Sequence, residues 1–74
     1  HRTTTIRFGL PSSGYVSIKL YDLLGREVMT VLEGHQAAGF HEVTLDASRL
    51  RPGLYWYRLQ SAEHVITRPL MLIK

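Results

Sequence analysis

The sequence predicts an all-β domain, an immunoglobulin-like β-sandwich of about seven short antiparallel strands in two sheets. Two observations predict it. Apolar and polar residues alternate in stretches of strand length, about five to eight residues each. Turn-forming Gly, Pro, Ser and Asp punctuate the chain roughly every eight to twelve residues. The 74-residue chain has no cysteine, so it must hold by packing alone. A chain of this size buries only about 60% of its unfolded surface and cannot divide that burial between two cores. Residues 1–74 therefore form a single domain, and the absence of an initiator Met reads as a fragment of something larger.

The first strand is TTTIRFGL, residues 3–10, where Ile6, Phe8 and Leu10 alternate with Thr5, Arg7 and Gly9. Pro11 to Gly14 break it, and YVSIKLYD then repeats the pattern with Val16, Ile18 and Leu20 on one face. The next stretch, DLLGREVMTVLEG, is ambiguous, because Leu24, Val28, Val31 and Leu32 also fall at helical spacing. Gly25, Gly34 and the β-branched Val28, Thr30 and Val31 favour a turn at residues 23–25 followed by a strand. A bulge there lets the neighbours Val31 and Leu32 both face apolar surroundings.

HQAAG, residues 35–39, reads as a loop before the strand FHEVTLD, in which Val43 and Leu45 point inward. DASRL is too short for a packed helix and reads as one turn, with Leu50 closing the end of the core. Pro52-Gly53 suits the centre of a type II turn. In the strand that follows, Tyr55, Tyr57 and Leu59 share the inner face and Leu54, Trp56, Arg58 and Gln60 the outer one. A buried tyrosine here needs a backbone acceptor for its hydroxyl, as at a sheet corner. The last segment, HVITRPLMLIK, is apolar almost throughout, and Pro69 predicts an edge position or a break into two strands. Leu70 and Leu72 face one way, Met71 and Ile73 the other.

The formal net charge of +3 is spread along the chain without a basic block, which argues against nucleic acid as a partner. No apolar run is long enough for insertion across a bilayer as a helix. His35 and His41, with Glu33 and Glu42 nearby in sequence, are the one set that invites a surface zinc ion, and they read instead as exposed loop and strand residues. There is no HExxH, no GxSxG and no glycine-rich phosphate loop, so the expectation is a protein without catalytic residues, metal or cofactor. Trp56 and Tyr21, with Arg58 and Lys19 beside them, form a combination that stacks sugars or anchors partners, or that covers a sheet face by packing.

Read end to end, the chain resembles the C-terminal sorting domain of the bacterial type IX secretion system, the type A signal of the Por secretion family. The resemblance rests on TTTIRFGLP at 3–11, GYVSIKLYDLLGREV at 14–28 and AAGFHEVTLDASRLRPGLYWYRL at 37–59, closed by a short apolar strand ending in Lys74. It implies an immunoglobulin-like sandwich at the end of secreted or surface proteins of the Bacteroidetes and related lineages. Such a domain travels through the periplasm, directs its cargo across the outer membrane through the type IX translocon, and is typically removed by a sortase-like peptidase that attaches the cargo to the cell surface. By position, Tyr21, Asp22, Gly25, Arg26 and Glu27 match the family's Tyr-Asp-x-x-Gly-Arg-Glu turn, Gly53 and Tyr55 its Gly-x-Tyr motif, and Lys74 its terminal basic residue. Leu70 and Leu72 belong to the last strand that the resemblance implies is recognised, and Pro69 departs from a position where members commonly carry lysine.

The competing reading is a non-catalytic immunoglobulin-like structural or cell-adhesion module. The domain of the flagellar hook-capping protein is similar in the YDLLGREV and GLYWYRL regions.

Overall fold

The computed structural model describes residues 3–73. It holds six strands in chain order: β1 (Thr3–Leu10), β2 (Gly14–Tyr21), β3 (Glu27–Gln36), β4 (Gly39–Asp46), β5 (Gly53–Gln60) and β6 (Val65–Leu72). All pairings are antiparallel. One sheet contains β1 and β4; the other has the order β3-β2-β5-β6. The two sheets enclose one core, so the sandwich expected from the alternation is present with six strands rather than about seven. The difference lies at Pro69, which does not divide the last segment: β6 runs through it, opposite Trp56 of β5. An edge strand has a ladder on one side only, and that tolerates a residue without an N–H.

The core is built from the inward-facing positions read from the alternation. Ile6 and Leu10 of β1 and Leu45 of β4 meet Val16, Ile18 and Leu20 of β2, Tyr55 and Leu59 of β5 and Leu72 of β6. Ile18 and Leu20 are fully buried, each burial contributing about 1.5–3 kcal/mol. Ala47, just past β4, is also buried, and Leu50 packs against the cluster from the turn that its amide closes onto the Ala47 carbonyl at 3.1 Å.

β3 carries the bulge its sequence implies and a second one besides. Ile18 lies opposite Leu32 while the next residue, Lys19, lies opposite Thr30, so Val31 is the extra residue. Both Val31 and Leu32 thereby pack against the core. A second shift, between Leu20 and Tyr21, leaves Val28 as the extra residue and exposes it.

Two local expectations are corrected. β3 continues to Gln36, so the 35–39 segment contributes His35 and Gln36 to the ladder, opposite Tyr15 and Gly14, and only residues 37–38 connect the strands. Pro52-Gly53 is not the centre of a type II turn, which needs φ near +80° at its second central residue. Gly53 has φ 146° and is already the first residue of β5, paired with Leu72.

Candidate recognition site

The turn between β2 and β3 is organised by one carboxylate. Asp22 Oδ1 accepts the amides of Leu24 at 2.9 Å and Arg26 at 3.0 Å, and Oδ2 accepts Arg26 Nε at 2.9 Å. The backbone closes around the same residue, with the Asp22 amide donating to the Arg26 carbonyl and the Gly25 amide to the Asp22 carbonyl. Gly25 sits at φ 82°, a left-handed conformation that L-residues with a Cβ disfavour. The amide of Arg26 above all, then its guanidinium and the Leu24 amide, hold the Asp22 carboxyl below the usual aspartate range. Leu23 and Leu24 are left 66% and 77% exposed at the tip.

Arg26 and Glu27 take different partners. Arg26 is bound within the turn to Asp22. Glu27 opens β3, reaches back across the sheet to Lys19 at 3.5 Å and accepts Thr30 Oγ1 at 3.3 Å. Tyr21 ends β2 opposite Trp56, with the Arg58 guanidinium 5.1 Å above its ring centroid. Trp56, 38% exposed, stands in one row between Tyr21 and Pro69 on the outer face.

The Gly-x-Tyr motif is structural. Tyr55 is 8% exposed, and its hydroxyl donates to the Arg51 carbonyl at 2.7 Å, tying the β4–β5 connection to the start of β5. Gly53 and Tyr55 pair with Leu72 and Leu70 of β6, so the motif also holds the last strand in register. Leu72 is in the core and Leu70 packs against it, which leaves β6's free edge and outer face for contact. Lys74 lies outside the described residues.

The antiparallel order gathers these residues. The end of β2, the start of β3, the start of β5 and the end of β6 all lie at one end of the four-stranded sheet. Tyr21, Asp22, Gly25, Arg26, Glu27, Gly53, Tyr55, Leu70 and Leu72, scattered over residues 21–72 of the sequence, thus occupy one region. Sequence reasoning passed over Leu23 and Leu24, although two leucines inside a glycine turn are apolar residues that no strand can bury.

His35 and His41 do not come together. His35 is on β3, edge-on to Tyr15, whereas His41 is on β4, stacked on Phe8 and hydrogen-bonded to the Ala37 carbonyl. Among the described residues no group of three or more His, Cys, Asp or Glu is placed to hold a metal ion.

Residues 2–74 match the family described as the secretion system C-terminal sorting domain. No curated protein matches the chain, and no solved structure does.

Proposed function

Because the chain belongs to the family of secretion system C-terminal sorting domains, we propose that it is read as a folded address by the outer-membrane translocon of type IX secretion. In this reading the domain performs no chemistry. It carries a cargo through the periplasm and across the outer membrane. A sortase-like peptidase then removes the domain and leaves the cargo on the surface or in the medium.

The observation that supports a folded address is the gathering of the family's motif residues at one end of the four-stranded sheet. Within that region the roles divide. Asp22, Gly25 and Arg26 fix the turn, and Tyr55 fixes the register of β6 through β5. What they present outward is the Leu23-Leu24 tip and the free edge of β6, whose unpaired backbone groups are suited to strand addition.

The test is a fusion of residues 1–74, with native upstream sequence, behind a fluorescent reporter in a type IX-competent bacterium. Deleting Pro69–Lys74 removes Leu72 from the core and so perturbs fold and address together. The cleaner variant is Leu23→Ser with Leu24→Ser, which leaves the core intact. The expected result is an unchanged melting temperature of the isolated domain and a reporter retained in the periplasm. Secretion undiminished by both the double variant and the deletion removes this reading, and periplasmic retention of the unaltered fusion with the isolated domain folded favours an adhesion module.

A further inference from the structure

The two-stranded sheet is too narrow to cover the four-stranded one. The inner face of β6 is where cover runs out: Ile66 points inward opposite the buried Leu59 yet is 41% exposed. A cleft opens there, between β1 and the β5–β6 pair. Its two walls differ in kind. From β1 it is lined by the consecutive residues Arg7, Phe8 and Gly9. Successive strand side chains point to opposite faces, so three in a row mean that the wall is the backbone edge itself. Among the described residues that edge is free, because there β1 pairs only with β4. From the other side the lining residues are Tyr57 and Leu59 of β5 and Ile66 and Arg68 of β6, which alternate and therefore present side chains.

A backbone edge beside an apolar floor is the geometry that receives an added strand. We propose that this cleft binds an extended peptide segment of a partner as a third strand of the β1–β4 sheet. The segment carries apolar residues at alternate positions and a carboxylate on the same face, opposite Arg68. Charge selects this occupant. Arg68 is exposed and, among the described residues, has no carboxylate partner, whereas Arg7 is held by Glu42 at 2.7 Å on the opposite face of its sheet. A second copy of the chain would bring another Arg68 and another net charge of +3 to the same seam, which disfavours it. The inference goes beyond the sorting role and uses a different edge from the one proposed for the translocon.

The test uses the purified 74-residue chain, ¹⁵N-labelled, and a nine-residue peptide in which Thr alternates with Val, Val, Glu and Val. The expected result is amide shifts at Arg7–Gly9 together with Ile66 and Arg68. Replacing the peptide Glu with Gln should weaken binding about two- to fivefold, the range for an exposed ion pair. In the Arg68→Gln protein the two peptides should bind equally. N-methylating alternate peptide amides on the side facing β1 should abolish binding. Absence of shifts at about 1 mM peptide, shifts at β6 with β1 silent, or indifference to N-methylation would overturn the inference. So would self-association through β1 in sedimentation.

Discussion

Replacing Tyr55 separates the two things it does. The ring is 8% exposed in the core, and the hydroxyl makes a 2.7 Å hydrogen bond to the Arg51 carbonyl four residues earlier. Tyr55→Phe keeps the ring and removes that bond. Arg51 is exposed, so water can replace the lost donor, and the cost should stay near the net value of one hydrogen bond, about 1 kcal/mol. Tyr55→Ala also empties the ring's site, for about 3–5 kcal/mol. A domain of this size holds in total about 4–11 kcal/mol, so the alanine variant should lose a large part of its stability or all of it. Urea unfolding followed through Trp56 measures both, and Tyr55→Phe should lower the melting temperature by about 4–8 °C. Equal midpoints for wild type and Phe, with less than about 1 kcal/mol lost in Ala, would refute the corner and the core assignment together.

The Asp22 carboxyl has a lowered pKa in the folded protein, so its contribution is fully present above the unfolded value near pH 4 and is lost as pH falls through the folded value. Asp22→Asn keeps the acceptor for the Leu24 and Arg26 amides but not the charge. Its urea midpoint should change less between pH 7 and pH 3 than that of the wild type, and equal changes would remove Asp22 from the acid transition. Gly25→Ala should cost about 1–2 kcal/mol from φ 82° alone, since an added Cβ meets no atom, and an unmoved melting temperature would show that the turn relaxes. Trp56→Ala, on the partly exposed outer face, should cost about 1–2 kcal/mol by circular dichroism, clearly less than Tyr55→Ala. Loss of retention on a carbohydrate affinity gel in that variant would instead identify Trp56 and Tyr21 as a sugar platform.

Alternation carried most of the fold. It assigned Val16, Ile18 and Leu20 to the core, split Tyr55 and Tyr57 from Trp56, and with two adjacent apolar residues at Val31-Leu32 it gave away a bulge. What alternation reports is the face of a side chain, not which strand lies beyond it. The division into two and four strands was therefore not legible, and neither was the exposure of Ile66, which has an apolar, inward position but nothing above it. Gly53 was misread because Pro-Gly chemistry describes an isolated turn, whereas pairing with Leu72 draws the glycine into β5. In the turn at 22–26 the residue types implied a hairpin. Charge alone did not reveal that Arg26 folds back on Asp22 while Glu27 crosses to Lys19, because charge pattern does not say which carboxylate a cation meets once the chain has turned.

The measurement that tests the central claim most directly is export of a cargo carrying residues 1–74 in two otherwise identical strains, one with and one without the type IX outer-membrane translocon. Reporter on the surface or in the medium only when the translocon is present is the expected result. Equal export in the two strains, or periplasmic retention in both with the domain folded, would contradict the account.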